Sequence, residues 1–304
     1  MRLLIVGAGG VGGYFGARLL EAKRDVTFLL RPRRAAELAR TGLIVRSSYG
    51  DIELPSPPHV LAEEIRDPFD VIIVACKSYD LAATMESFAA AVGPEITILP
   101  LLNGMRHIDQ LATRFDKSNV LGGVCQISSA LDPNGAIVHL NEIHKIVFGE
   151  LDGTQSPRID AISAAFAGAK FDSESSTQIV QEMWEKWVFI ATAAGITCLM
   201  RATFGDIVEA GGTEFAKRLY AECAAVAARA GFPPRNHVTE RSLRIVTEPG
   251  SRITASMLKD IERGAPIEGD QIIGDLLQRG GAPADGLLAT VHLHLKSYEA
   301  RRFR

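Results

Sequence analysis

Residues 1–34 read MRLLIVGAGGVGGYFGARLLEAKRDVTFLLRPRR. Leu3–Val6 is a short apolar run ended by glycines, Val11–Ala22 has helical character, and Val26–Leu30 is a second β-rich run. Strand, helix and strand within roughly thirty residues make a βαβ unit, whose crossover is expected to be right-handed. At its first junction, Gly7-Ala8-Gly9-Gly10-Val11-Gly12 fits G-x-G-x-x-G. Gly7 permits the tight turn, Gly9 lets the backbone approach a pyrophosphate, and Gly12 lets helix and strand pack closely. The free N–H groups and dipole of the following helix then attract the phosphates. A ligand-free glycine turn is the alternative. The strand before the motif and the helix after it argue for the dinucleotide site, with Gly7, Gly9, Gly10, Val11 and Gly12 as its loop.

The end of the second strand bears on the choice of dinucleotide. NAD sites tend to place Asp or Glu there, to bind the ribose 2′-hydroxyl. This chain has Leu30-Arg31-Pro32-Arg33-Arg34, with no acid and three cations. A guanidinium pairs well with a 2′-phosphate, so the expected cofactor is NADP (as NADPH), with Arg31 as a contact. A solvated basic turn is the alternative.

The α/β alternation continues. Val71–Ala75 (VIIVA) reads as a strand buried on both faces, and Ile96–Leu101, Val120–Ile127 and Ile137–Phe148 as further strands. This predicts a Rossmann-type, doubly wound parallel sheet. From Val180 to Tyr298 nearly everything reads as helix, notably Gln178–Thr197, Glu214–Ala230 and Ser256–Glu262. Breaks fall at Gly231–Pro234, Glu248–Gly250 and Gly280–Pro283. The polar, serine-rich stretch Asp172–Thr177 marks the expected boundary between residues 1–173, a NADP-binding domain, and residues 174–304, an all-helical domain for substrate and dimerisation.

Composition sets limits on partners. The 304 residues are 47% hydrophobic and 23% charged with a formal net charge of −3, which suits a globular protein and gives no reason to expect nucleic acid or an anionic membrane. Cys76, Cys125, Cys198 and Cys223 are widely spaced, without CxxC, so neither a zinc site nor a disulfide framework is suggested and a reducing compartment fits. The N-terminus does not read as a signal peptide, and the apolar run Trp187–Met200 is too short to span a bilayer. The expected location is the cytoplasm, with no membrane partner. The same run suits a homodimer interface or a monomer's core, and both stay open. His139, His144, His292 and His294 lack the spacing of a metal cluster, so no metal site is expected.

With the glycine loop, Arg31, Lys77, Asn103-Gly104-Met105, Lys186, Ser256 and Glu268 in view, the chain resembles the ketopantoate reductase (2-dehydropantoate 2-reductase) family over essentially its whole length. The most specific segments are LLNGMRHID (101–109), MWEKW (183–187) and SMLKDIERGAPIEGD (256–270), in matching order and spacing. The resemblance implies NADPH-dependent reduction of a small 2-oxo acid, by default ketopantoate to pantoate, on the way to pantothenate and coenzyme A. It implies Lys186 as general acid, and desolvation in an apolar helix would suit a lysine to that task. Glu268 is implied as the partner of Lys186 and of the hydroxyl formed at C2. Asn103 would orient the carbonyl or the nicotinamide ribose, Ser256 would hold the substrate carboxylate, and Lys77 would touch the cofactor. Asp260 resembles a supporting acid. The bland alternatives are a snorkelling Lys186, a solvated Glu268, a simple Asn103-Gly104 turn and a helix-capping Ser256.

The pattern breaks in one region. Where the family usually carries asparagines four and eight residues after the catalytic lysine, this chain has Ile190 and Ala194, and a further asparagine before glycine is Phe204. In the family those amides help to bind ketopantoate, including its C4 hydroxyl, so their loss points to a more apolar 2-oxo acid, or to poor reduction of ketopantoate. Thr192 and Thr197 lie close enough in sequence to compensate. Asp80 stands where glutamine is often seen. Two other classes compete: a non-catalytic NADP-binding sensor, against which stands the retention of Lys186, Glu268 and Asn103 together, and an interaction protein using its helical half for oligomerisation.

Overall fold

The computed structural model describes residues 1–281 and 285–302. The chain divides into two compact units, the first made of residues 1–102 and 107–180, the second of residues 103–106 and those from 181 onward.

The first unit holds strands β1 (Arg2–Val6), β2 (Asp25–Leu29), β3 (Leu43–Arg46), β4 (Ile52–Leu54), β5 (His59–Val60), β6 (Val71–Val74), β7 (Thr97–Pro100), β8 (Leu121–Leu131), β9 (Ile137–Glu150) and β10 (Asp172–Ser175). A parallel sheet runs in the order β5-β2-β1-β6-β7, in register Leu3↔Val26 on one side of β1 and Leu3↔Val71 on the other. All four residues of β6 are buried, as a strand covered on both faces requires. Helices α1 (Gly10–Glu21), α2 (Pro32–Thr41), α3 (Leu81–Phe88), α4 (Arg106–Phe115) and α5 (Pro157–Phe166) intervene. The alternation is that of a Rossmann-type fold, as the sequence predicts.

Two details differ from the sequence-based expectation. Val120–Ile127 meets the parallel sheet through an isolated parallel bridge from Val120 to Ile98 of β7, and neither it nor Ile137–Phe148 continues that sheet as a further parallel strand. They pair with each other as the antiparallel β8 and β9, and β9 belongs to a second sheet ordered β10-β9-β3-β4. The reason lies in the short connection between them. Asp132 accepts from the N–H groups of Asn134 and Ala136, Gly135 is left-handed (φ +84°), and so tight a turn can join only antiparallel strands. The polar, serine-rich stretch at the expected domain boundary holds strand β10, paired in parallel with Lys145–Phe148 of β9, so pairing overrides composition there.

The second unit is helical: α6 (Ile179–Met200, which begins in the first unit), α7 (Phe204–Glu209), α8 (Thr213–Arg229), α9 (Asn236–Val246), α10 (Ser256–Glu262), a π-helical turn Asp270–Gly274, α11 (Asp275–Gly280) and α12 (Leu287–Arg302). Residues Ala191–Cys198 of α6 are all buried. The Glu222 carboxylate accepts from the N–H groups of Leu287 and Leu288, capping α12 with negative charge where the helix dipole is positive. Of the expected break at Gly280–Pro283, Gly281 is left-handed (φ +52°), while Pro283 lies outside the described residues. Among the described residues no helix is long and apolar enough to cross a membrane.

An ion pair between Glu185 on α6 and Arg235, buried at the carboxylate, allows a test of this unit. Glu185 is 5% exposed and accepts from Arg235 through its main-chain N–H (2.9 Å), Nε (2.8 Å) and Nη2 (2.5 Å), and from the Gln181 amide (3.1 Å). Burial alone would raise its pKa, but these hydrogen bonds and the guanidinium charge outweigh burial and hold it below the usual carboxylate value. A folded-state pKa below the unfolded one stabilises above the unfolded value and is lost as pH falls through the folded value. Glu185→Gln is expected to cost about 1.5–3 kcal/mol at pH 7, toward the lower end because the Arg235 head reaches water. The gap in melting temperature from wild type should close as pH drops below about 4. A gap that stays constant across that range would assign the loss to packing.

Candidate active site

Two sets of residues need placing, one in each unit. In the first, β1 ends in Gly7, held left-handed at φ +96°, and α1 starts at Gly10 with Gly9 as N-cap. No side chain caps that N-cap and no acid occupies the first turn, so this helix terminus suits an anion. A Cβ added to Gly12 would stand 2.3 Å from the Gly7 oxygen, and one on Gly10 would stand 2.9 Å from the Ser129 oxygen. At Gly9 a Cβ meets nothing within 4 Å. The loop is thus packed tightly on its protein side at Gly10 and Gly12 and open at Gly9, which fits a dinucleotide pyrophosphate approaching the backbone.

The three cations after β2 separate in the structure. Arg34 is mostly buried, its Nε donating to the Ala8 carbonyl (3.2 Å) and its Nη2 to the Gly135 carbonyl (3.2 Å). It braces the glycine loop from behind. Arg33 is almost fully exposed and pairs with Glu37. Arg31, the N-cap of α2, is exposed and lies 3.2 Å from Asp80. Lys77 precedes the turn that carries Asp80, just beyond β6, and is half-buried.

In the second unit, Lys186 is half-buried on α6, with Trp184 and Trp187 on either side of it in sequence and their rings 4.9 Å apart. Trp187 is fully buried, and its indole N–H donates to the Ile272 carbonyl (2.9 Å). That carbonyl belongs to the π-helical turn that follows the buried Glu268. Lys186 and Glu268 therefore stand on two segments tied by a buried hydrogen bond. The same turn holds the Asn103-Gly104 loop. The Gln271 amide donates to the Asn103 carbonyl (2.9 Å), and a Cβ on Gly104 (φ +81°) would stand 3.0 Å from the Gln271 oxygen. Gln271 has no counterpart in the sequence-based site. Its one signal in the sequence is a polar residue next to the short apolar pair Ile272-Ile273. π-Helical turns are rare and concentrate at functional sites.

Ser256 is exposed at the first position of α10, where Ala255, not Ser256, is the N-cap. Asp260 is half-buried on the same helix. Of the positions that depart from the family pattern, Phe204 is fully buried, Ala194 is buried and Ile190 is half-buried. Thr192 and Thr197 are fully buried, and their hydroxyls donate to the carbonyls of Val188 (2.8 Å) and Ala193 (2.7 Å) in their own helix. Thr197 also accepts from the Ala255 N–H at 3.3 Å. The histidines have structural neighbours: the Tyr14 hydroxyl and His144 Nδ1 are 2.7 Å apart, and His292 Nε2 is 3.1 Å from Asp270.

A glycine loop at the end of β1 and a helical unit bearing an Asn loop, a lysine and a buried glutamate define a nicotinamide-dependent oxidoreductase acting on a CH–OH group. Comparison with known proteins gives the family. The model described as Ketopantoate reductase PanE/ApbA matches residues 3–153, and that for its C terminal domain matches residues 178–283. An uncharacterized oxidoreductase, YkpB, of Bacillus subtilis is 40% identical, over 99% of this chain and 100% of that protein. The 2-dehydropantoate 2-reductase of Archaeoglobus fulgidus is 29% identical over 92% of this chain and 90% of that one. The crystal structure of 2-dehydropantoate 2-reductase from Geobacter metallireducens is 28% identical, with a TM-score of 0.88 and coverage of 98% and 99%. The chain belongs to the ketopantoate reductase family.

Proposed function

We propose that this protein reduces a 2-oxo acid with NADPH, and that its substrate carries a more apolar side chain than ketopantoate. Bound NADPH supplies the hydride. The glycine loop and the N-terminus of α1 hold the pyrophosphate, and Arg31 pairs with the 2′-phosphate. Lys186 donates the proton that the carbonyl oxygen takes up as hydride reaches C2, so that the 2-oxo acid leaves as a 2-hydroxy acid. Glu268 accepts from Lys186 and from the new hydroxyl. Asn103 orients the carbonyl or the nicotinamide ribose, and Ser256 holds the carboxylate. Asp260 supports them from α10.

The observation that carries the substrate assignment is the orientation of Thr192 and Thr197. Ile190, Ala194 and Phe204 remove three amides, the Thr192 and Thr197 hydroxyls are buried and donate to carbonyls of their own helix, and the Thr203 hydroxyl beside Phe204 donates to Asp206 (2.6 Å). A substrate hydroxyl brought there would lose its bonds to water and find both threonine protons already committed to the helix backbone. The protein is proposed to work in the cytoplasm. Burial pushes the Cys198 and Cys223 thiols up to about 12, so both stay protonated and unreactive.

The test is a panel of 2-oxo acids, with reduced-nicotinamide absorbance followed over time. Aliphatic 2-oxo acids without a 4-hydroxyl should exceed ketopantoate in kcat/KM by about tenfold or more. Equal or better turnover of ketopantoate would sink the apolar assignment and restore ketopantoate, with its place before pantothenate, as the substrate. NADPH binding without turnover of any acid would favour a sensor.

A further inference from the structure

Sheet order places β1 between β2 and β6, so the carboxyl ends of β2 and β6 flank the glycine loop. Arg31 follows β2 and Asp80 follows β6, and their side chains meet at 3.2 Å (Arg31 Nη2 to Asp80 Oδ1). Both are open to solvent, at 63% and 38% exposure, and exposed pairs of this kind add little to stability. Of the three arginines after β2, Arg34 is committed to backbone carbonyls and Glu37, and Arg33 to Glu37, which leaves Arg31 as the arginine facing this edge.

We propose that Asp80 is a cofactor-selectivity residue, which disfavours the 2′-phosphate of NADPH and accepts a hydrogen bond from the 2′-hydroxyl of NADH. The inference rests on the assignment of Arg31 to the adenosine ribose. A phosphate drawn to Arg31 arrives beside a carboxylate already engaged with that guanidinium, so it meets repulsion and must share the cation. A ribose hydroxyl arriving at the same place finds an acceptor. The β2 end lacks the acid that NAD sites use, and Asp80 supplies one from the neighbouring strand on the far side of β1. The chain then binds both dinucleotides, with its preference for NADPH held down by a single charge.

Calorimetric titration of the full chain with NADPH and with NADH, in wild type, Asp80→Asn and Arg31→Gln, tests this without relying on turnover. Asp80→Asn should tighten NADPH by about tenfold, or about 1.4 kcal/mol. NADH affinity should stay unchanged or weaken, and Asp80→Glu, which keeps the charge, should leave the ratio of the two affinities near wild type. A ratio that moves by less than about twofold in Asp80→Asn overturns the proposal. Arg31→Gln separates the two layers: if it leaves NADPH affinity intact, the 2′-phosphate assignment of Arg31 fails whatever Asp80→Asn does.

Discussion

Lys186→Ala is expected to lower kcat for 2-oxo acid reduction by about 10²–10⁴-fold, the contribution typical of a positioned general acid, with NADPH affinity nearly unchanged. The separation follows from where the residues lie. The glycine loop, Arg31 and Lys77 belong to one compact unit, while Lys186 belongs to the other. Trp184 and Trp187 hold the backbone around Lys186, and the Trp187 indole bond to Ile272 survives the substitution. Truncation at Cβ should therefore leave α6 in place, so that a lost rate reports a lost proton donor. Single-turnover rates across pH give the sharper readout. The pH dependence of the wild-type rate should flatten in the variant, whose rate should stay low throughout. Retention of wild-type kcat in Lys186→Ala would remove this lysine from the proton step and leave the carbonyl oxygen to another donor.

The two halves of the molecule were not equally legible in the sequence. The βαβ start was readable because glycine positions, apolar runs and strand length all pointed the same way, and the buried VIIV strand could hardly be anything else. The long helices of the second unit were readable for the same reason, and Ser256–Glu262 was placed with its observed limits. The second sheet was not. β3 and β4 are only four and three residues long and carry too little pattern to register. β10 is a polar stretch made into a strand by the edge of β9, a pairing invisible to local composition. At the site, residue type marked Lys186, Glu268 and Asn103, but not what holds them. Gln271 on Asn103 and Ile272 on Trp187 are contacts between segments far apart in the chain, created by a π-helical turn with no simple sequence signature. The arginine cluster shows the opposite limit. Charge alone made Arg31, Arg33 and Arg34 equivalent, and only the fold assigned Arg34 to the backbone of the glycine loop.

Gly12→Ala is expected to damage fold and cofactor binding together, whereas Gly9→Ala should damage binding alone. A Cβ on Gly12 would stand 2.3 Å from the Gly7 carbonyl oxygen, 3.1 Å from the Ala75 Cβ and 3.3 Å from Ile5 Cγ2. The first of these atoms is backbone, and the others belong to the strand-end region that α1 packs on. No rotamer change relieves the contact, so α1 must shift away from β1. Overpacking of that sort costs about 1–3 kcal/mol, and at this chain length each kcal/mol lowers the melting temperature by about 2–4 °C. The shift also carries the N-terminal N–H groups of α1 away from the position where they meet a pyrophosphate, so NADPH affinity should fall by about 10²-fold or more. At Gly9 the added methyl meets no protein atom within 4 Å, and the backbone there (φ −90°, ψ −163°) is one that alanine adopts without strain. Its melting temperature without ligand should match wild type. Its methyl would instead stand in the open space through which a phosphate reaches the loop, and the stabilisation that NADPH gives the wild type should shrink. Melting curves of both variants with and without NADPH decide the matter. A Gly12→Ala protein with wild-type melting and wild-type response to NADPH would mean that the close approach of α1 to β1 is not what this glycine provides. A Gly9→Ala protein that still gains the full stabilisation would place the pyrophosphate away from the open side of the loop.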